Sequence, residues 1–186
     1  MVRTRVGYAG GDKDNPTYYS LGNHTETIEM DYDPGVVSYA HLLELFWEMH
    51  SPTRAPFSQQ YKSAIFYHDD EQRKLAEEVK ARVEQQRGVK FTTEILPLKH
   101  FWLAEDYHQK YYLRQMQPFA RAYEKLYPQL DDFINSTAVA RVNGFVGGSG
   151  DIALLQKEIE GYGLDEGGKT LLLDLAKNSH PIKCAY

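Results

Sequence analysis

A glutamate at the start of a predicted strand is the residue with the clearest chemical potential in the sequence. From residue 26 to residue 32 the side chains alternate in polarity, so that Glu26 shares a strand face with Ile28 and Met30. This pattern points a carboxyl group towards an apolar layer. Burial raises the pKa of a carboxyl group, which suits a proton donor near neutral pH. The alternative is that Glu26 occupies the frayed first position of the strand and reaches water.

Two of the 14 tyrosines stand apart from the apolar stripes of the predicted elements. Tyr18 follows the loop residues Asn15-Pro16-Thr17, and Tyr61 follows Ser58-Gln59-Gln60. A tyrosine hydroxyl both donates and accepts hydrogen bonds, which is useful around a polar substrate atom. Most tyrosines are packing residues with a solvated tip, so a structural role for either residue stays open.

The chain contains a single cysteine, Cys184, third from the end. One thiol excludes an internal disulfide framework, a zinc cluster built on several cysteines and an intramolecular dithiol redox cycle. Lys183 beside it could favour the thiolate, and an incidental exposed thiol is the alternative. The histidines predict no metal site, because even His100 and His108 are eight positions apart rather than the four of a helical zinc site.

The composition is that of a folded protein. Of the 186 residues, 42% are hydrophobic and 25% are charged, close to globular averages, and the length fits one domain with a small appendage. The net charge of −5 and the lack of a basic stripe argue against nucleic-acid binding. No signal peptide and no apolar run of the ~20 residues that span a bilayer is present. We therefore predict a cytoplasmic protein without membrane association, although a mitochondrial location is also compatible.

The apolar patterns predict a two-layer α/β (α+β) sandwich in the order β-β-α-β-α-β, with helices packed on one mixed sheet. Ser38 is a good N-cap for the first helix, and the second begins at Asp69-Asp70 and ends at Arg87-Gly88. Strands are predicted at 2–8, 26–32, 63–67 and 91–96, and further helices at 105–115, 119–126, 151–162 and 165–177. The sandwich is assigned to residues 1–127. Residues 128–186 are predicted to form a helical C-terminal extension with a glycine-rich segment at 143–150, of which residues 147–150 are predicted to form a turn.

A series of short motifs also resembles, in the same order, the peptide-methionine (S)-sulfoxide reductase family, the A-type methionine sulfoxide reductases. The matching segments are Gly7-Tyr8-Ala9-Gly10-Gly11, Asn15-Pro16-Thr17-Tyr18, His24-Thr25-Glu26, Tyr32-Asp33-Pro34, Phe46-Trp47 with His50, Gln60-Tyr61-Lys62-Ser63, Thr92-Thr93-Glu94-Ile95 and Ala104-Glu105-Asp106-Tyr107-His108-Gln109. They extend over residues 3–113, about 60% of the chain. So many ordered matches make a chance resemblance implausible.

This resemblance implies a substrate, a set of site residues and a reductant. Glu26 matches the carboxylic acid that protonates the sulfoxide oxygen, and Tyr18 and Tyr61 match the two tyrosines whose hydroxyls hold that oxygen. His24, in the same motif as Glu26, is expected to contribute to substrate binding, and Cys184 matches a recycling thiol. The implied substrate is methionine-(S)-sulfoxide in peptides and proteins, as in protein repair under oxidative stress. The implied reductant is thioredoxin, and no cofactor is implied.

Two departures from the family pattern affect the expected activity. The family's nucleophilic cysteine lies in a Gly-Cys-Phe-Trp-Gly motif upstream of the segment that matches Gly7 to Gly11, and the chain has no such motif. We therefore expect an N-terminally truncated member that is inactive as written. A non-catalytic sulfoxide-binding or interaction module, a pseudoenzyme, is the alternative. The second departure is Pro56, which stands where many members carry an aspartate.

Overall fold

A computed structural model describes residues 2–50, 52–54, 56 and 58–178 of the chain. The contacts within the chain divide these residues into two compact units. Residues 6–105 form the first, which we call the α/β unit. Residues 2–5 and 106–178 form the second, which we call the helical unit. The two units are described separately.

The α/β unit has its strands and helices in the predicted order, followed by one further short strand. Their bounds are β1 (Arg3–Ala9, of which residues 3–5 are counted with the helical unit), β2 (Thr25–Asp31), α1 (Tyr39–Met49), β3 (Ala64–Tyr67), α2 (Asp70–Arg87), β4 (Glu94–Pro97) and β5 (Phe101–Leu103). A short 3-10 helix, Gln59–Tyr61, precedes β3. The mixed α/β class predicted from the sequence is therefore confirmed.

Among the described residues the strands form two small sheets rather than the single predicted sheet. The first has the order β2-β1-β5, in which β5 is antiparallel to β1 and Tyr8 lies opposite Trp102. The second consists of the parallel strands β3 and β4, in which Ile65 lies opposite Ile95. Strand periodicity identifies the side chains that share a face. It does not specify the partner strands, because these are selected by contacts distant in sequence.

Capping interactions place the helices of the α/β unit where the sequence predicts them. Ser38 Oγ accepts a hydrogen bond from the His41 N–H at 3.2 Å, and Asp69 Oδ1 accepts one from the Gln72 N–H at 2.8 Å. Gly88 ends α2 in the left-handed conformation, with φ of +65°. The apolar faces of both helices contribute to one core, which consists of Leu43, Trp47, Ile65, Ala76, Val79, Val83 and Phe91.

The helical unit consists of short helices packed around one apolar core. Their bounds are α3 (Tyr111–Gln115), α4 (Gln117–Leu126), α5 (Leu130–Asn135), α6 (Thr137–Val146), α7 (Ile152–Glu158) and α8 (Glu166–Asn178). Leu113, Phe119 and Tyr123 are completely buried in this core. Because these residues precede position 127, the predicted boundary there does not coincide with the observed division at 105/106. In the described parts of both units, no helix combines the length and the apolar character that crossing a bilayer requires.

One predicted helix of the helical unit differs from the structure, and the predicted glycine-rich turn is confirmed. The helix predicted at 105–115 is interrupted, because Lys110 adopts a left-handed conformation (φ +54°) between a 3-10 helix, Asp106–His108, and α3. In the glycine-rich segment, α6 continues to Val146, and the predicted turn at 147–150 follows it. Phe145 is buried in the apolar core, and this burial outweighs the low helix propensity of glycine at position 144.

Lys110 is a buried lysine that ties together distant segments of the helical unit. Its Nζ donates hydrogen bonds to the Thr4 carbonyl and, at 2.7 Å, to the Ile134 carbonyl. Burial lowers the pKa of Lys110 to about 8, and the positive charges of Arg5 and Arg114 act in the same direction. An unfolded chain with the ordinary lysine pKa of 10.5 therefore binds more protons than the folded chain between pH 8 and pH 10.5.

We expect the free energy of unfolding to rise between pH 8 and pH 10.5 relative to that of Lys110→Met, which has no group to titrate there. The difference in pKa limits this rise to about 3 kcal/mol. Urea unfolding of both proteins at several pH values measures the effect, with Lys125→Met, an exposed substitution on α4, as the control. Parallel pH profiles for the chain and Lys110→Met would contradict the assignment.

Candidate active site

Tyr18 is held by a carboxylate that follows β5. Glu105 accepts a hydrogen bond from the Tyr18 backbone N–H at 2.9 Å and another from the Tyr8 hydroxyl at 2.6 Å. Because Tyr8 is buried in β1, Glu105 ties the Tyr18 loop to that strand. The Tyr18 ring is half-buried and packs against the small apolar cluster of Tyr8, Leu21 and Ala104. Glu105 lies in one of the matching motifs, but no local sequence feature assigns it this role.

The loop that carries Tyr18 closes on the residues just before β2. The Asp12 N–H donates a hydrogen bond to Asn23 Oδ1 at 2.9 Å. Gly11 approaches His24 so closely that a Cβ atom at position 11 would lie 2.6 Å from the imidazole ring. A side chain at this position would therefore push the loop away from the start of β2.

His24 is buried beneath this loop and forms hydrogen bonds with its backbone. The residue is 1% exposed, and its Nδ1 accepts a hydrogen bond from the Gly11 N–H at 3.2 Å. Its Nε2 therefore carries the proton and donates to the Lys13 carbonyl at 2.7 Å. Both ring nitrogens are thus engaged with the backbone, and His24 positions the beginning of β2, where Glu26 lies. Its expected contribution to substrate binding stays a prediction.

Glu26 is the second residue of β2, and its side chain is exposed. Ile28 and Met30, which share its face, are also exposed, at 53% and 36%. The predicted alternation along the strand is confirmed, but the expected apolar layer over Glu26 is not found among the described residues. Alternation distinguishes the two faces of a strand without indicating which face is covered. The alternative of a carboxyl group that reaches water is the one observed.

Hydrogen bonds hold the 3-10 helix that carries Tyr61 against the beginning of β2. Thr25 Oγ1 donates to the Gln59 carbonyl at 3.0 Å, and Gln60 Nε2 donates to Glu26 Oε1 at 2.6 Å. Tyr61 directly follows these two glutamines and is 51% exposed. The structure thus places two of the predicted site residues, Glu26 and Tyr61, in segments that are bonded to each other.

A second set of hydrogen bonds fixes the chain just beyond Tyr61. His50 Nδ1 donates to the Phe46 carbonyl at 2.5 Å, and Ser63 Oγ donates to His50 Nε2 at 2.9 Å. Ser63 Oγ in turn accepts from Thr93 Oγ1 at 2.7 Å. Burial lowers the pKa of His50. This favours the neutral imidazole that one donating and one accepting nitrogen require.

Cys184, the predicted recycling thiol, lies outside the described residues. It is the single cysteine of the sequence, so the residues that the structure describes contain no thiol. Within the same part of the chain, no three histidine, cysteine, aspartate or glutamate side chains are grouped so that they could hold a metal ion.

Residues 163–170 match the phosphate-loop consensus GxxxxGK[ST], but their surroundings are unsuitable for a phosphate. Helical segments rather than a strand precede them. Lys169 Nζ donates to Glu160 at 2.6 Å and to Glu166 at 2.7 Å. The Gly168 N–H donates to Asp165 Oδ1 at 2.8 Å. Carboxylates occupy the donors that a phosphate would need, so we do not assign a nucleotide site here.

Comparison with known proteins shows which proteins this chain is similar to. A sequence model described as peptide methionine sulfoxide reductase matches residues 1–141. The chain is 42% identical over 166 residues to a peptide methionine sulfoxide reductase of Drosophila melanogaster. It is 44% identical over 122 residues to the MsrA of Methanothermobacter thermautotrophicus. The alignment with the fly protein covers 88% of this chain and 66% of that protein, so the chain spans about two thirds of the fly protein. The alignment with the archaeal MsrA covers 60% of this chain and 72% of that protein.

Solved structures show the same similarity. Reduced Mxr1 of Saccharomyces cerevisiae superposes with a TM-score of 0.57 at 31% identity, over 61% of this chain and 71% of the yeast chain. Methionine sulfoxide reductase A of Corynebacterium diphtheriae superposes with a TM-score of 0.53 at 33% identity, over 63% of this chain and 65% of that chain. The fold similarity therefore agrees with the sequence match.

Removal of Glu105 should release the Tyr18 loop. In Glu105→Ala, the Tyr18 N–H and the hydroxyl of buried Tyr8 lose this acceptor, so we expect the free energy of unfolding to fall by roughly 2–4 kcal/mol. Glu105→Gln keeps an oxygen for the Tyr18 N–H and an amide that can donate to the Tyr8 hydroxyl, and should lose about half as much or less. Urea unfolding measures both, with Glu78→Ala, exposed on α2, as the control. Equal losses in the two Glu105 variants would contradict this role.

Proposed function

Because the chain belongs to the peptide methionine sulfoxide reductase family, we propose that it binds methionine-(S)-sulfoxide in peptides and proteins through Glu26, Tyr18 and Tyr61. The observation that supports this most directly is the bonding of the Tyr61 helix to the beginning of β2. It brings an accessible carboxyl group and an accessible phenol into adjoining segments. Tyr18 comes from the loop that His24 and Glu105 hold.

The chemistry of a sulfoxide suits these side chains. Its oxygen carries partial negative charge and accepts hydrogen bonds, which a protonated carboxyl group and two phenolic hydroxyls can donate. Hydrogen bonds to this oxygen withdraw electron density from the sulfur and make it more electrophilic. A site built from O–H donors therefore prepares the sulfur for attack by a nucleophile.

Reduction of the bound sulfoxide requires a thiol. A thiolate attacks the sulfur and Glu26 supplies a proton to the oxygen. The S–O bond to the methionine sulfur breaks, the oxygen is transferred to the cysteine sulfur, and the products are methionine and a cysteine sulfenic acid. A dithiol then reduces the sulfenic acid to the thiol, with formation of a disulfide and water. We assign the dithiol to thioredoxin on the strength of the motif resemblance. A cytoplasmic location agrees with this assignment, because thioredoxin keeps thiols reduced in the cytosol.

Binding of a sulfoxide should depend on the carboxyl group of Glu26. We expect N-acetyl-methionine-(S)-sulfoxide methylamide to bind, and Glu26→Gln to raise its Kd roughly tenfold, because an amide N–H donates a weaker hydrogen bond to the sulfoxide oxygen than a carboxyl O–H. Isothermal titration calorimetry measures both values. Glu78→Gln on α2 is the matched variant, and the corresponding methionine derivative without the oxygen is the control ligand. No heat of binding at millimolar sulfoxide would contradict the proposed function.

Turnover should be limited by the thiols of the chain. Cys184 is the single cysteine, and it matches the family's recycling thiol rather than its nucleophile. We therefore expect dithiothreitol-driven reduction of a methionine-(S)-sulfoxide peptide to stay at the level of a blank without protein. Turnover well above the blank would contradict this prediction. Cys184→Ser then identifies the nucleophile: loss of turnover assigns attack to Cys184, whereas retention assigns it to dithiothreitol acting on a sulfoxide bound at Glu26.

A further inference from the structure

The side chain of Gln60 contacts the carboxyl group on which the proposed function depends. Gln60 Nε2 lies 2.6 Å from Glu26 Oε1, across a separation of 34 residues in sequence. An ionised carboxylate oxygen accepts hydrogen bonds and donates none, so the amide nitrogen rather than the amide oxygen faces it. Gln60 is therefore the donor of this hydrogen bond and Glu26 the acceptor.

Hydrogen bonds between exposed side chains contribute little when both partners are mobile, but here both ends belong to fixed segments. Gln59 is anchored to the start of β2 by the bond from Thr25 Oγ1 to its carbonyl at 3.0 Å. The turn is closed by the Tyr61 N–H, which donates to the carbonyl of residue 58 at 3.2 Å. The backbone on both sides of Gln60 is thus held, and little further conformational entropy is lost when its amide reaches Glu26.

The direction of this bond determines which oxygen of Glu26 can act as an acid. Because Oε1 accepts the amide N–H, Oε2 is the oxygen that carries the proton whenever the carboxyl group donates one to a ligand. After the proton has left, the bond from Gln60 is made to a full negative charge and becomes stronger. An amide does not titrate, so Gln60 supports both protonation states of the acid.

From this geometry we propose that Gln60 is a positioning residue for Glu26: it fixes the carboxyl group so that Oε2 presents its proton to the sulfoxide oxygen. This inference rests on the proposed function and adds a residue that acts on substrate through Glu26. Gln60 stands immediately before Tyr61, so one short helix both orients the acid and supplies a phenol.

A double-mutant cycle separates positioning from a general effect on the turn. We expect Gln60→Leu to raise the Kd of N-acetyl-methionine-(S)-sulfoxide methylamide about fivefold to tenfold in the otherwise unsubstituted chain. In a Glu26→Gln background there is no acidic proton to orient, so the same substitution should change the Kd less than twofold. Gln86→Leu, exposed on α2, is the matched control and should leave the Kd unchanged in both backgrounds.

A spectroscopic measurement tests the contact itself without ligand. The side-chain amide resonances of Gln60 in a ¹⁵N-labelled chain should move in Glu26→Ala, and those of Gln86 should not. The carboxyl ¹³C resonance of Glu26 should move in Gln60→Leu and stay in place in Gln86→Leu. A residue that only shaped the turn would leave the Glu26 resonance unchanged.

The outcomes distinguish this inference from the function on which it rests. A loss in affinity that appears only with Glu26 present, together with the coupled resonances, supports positioning. A loss of equal size in the Glu26→Gln background, or a Kd within twofold of the unsubstituted value, overturns positioning and leaves sulfoxide binding intact. If the unsubstituted chain binds no sulfoxide, the proposed function fails and this inference fails with it.

Discussion

The attachment of the 3-10 helix Gln59–Tyr61 to the beginning of β2 is the constraint on which the candidate site depends. The bonds from Thr25 to the Gln59 carbonyl and from Gln60 to Glu26 join segments more than thirty residues apart in sequence. Without them, an acid on a strand and a phenol in a connecting segment would have no fixed relation. The bonds of Ser63 with His50 and Thr93 restrain the same segment beyond Tyr61. The site is therefore an arrangement of loops held by side-chain bonds to regular elements.

Tyr18 is positioned by the same principle with different residues. Glu105 connects the Tyr18 backbone to a buried tyrosine of β1, and His24 uses both ring nitrogens to hold the loop from within. The residues expected to contact substrate are thus supported by other residues of the matching motifs: Glu105 holds Tyr18 from 87 positions away, and His24 lies in the same motif as Glu26. This division of roles explains why His24 is buried although it stands two positions before an exposed acid.

Local signals in the sequence are sufficient to predict much of the fold and part of the candidate site. The caps at Ser38 and Asp69 and the alternation of β2 depend on neighbouring residues, and the structure has them where they were predicted. The pairing of strands into two sheets and the exposure of Glu26 depend on what packs against each face, which alternation cannot indicate. Glu105 and Gln60 could not be assigned roles from sequence, because their partners are 87 to 97 and 34 positions away.

We propose that the described residues form the oxygen-binding part of a methionine sulfoxide reductase site. Amide chemical-shift mapping can test this assignment, by titrating a methionine-(S)-sulfoxide peptide into the ¹⁵N-labelled chain. We expect shifts in the amide resonances around Tyr18, at the start of β2 and in the 3-10 helix that carries Tyr61. The matching peptide with unoxidised methionine should shift them much less. Shifts confined to the helical unit, or equal shifts with both peptides, would show that this site does not bind the sulfoxide oxygen.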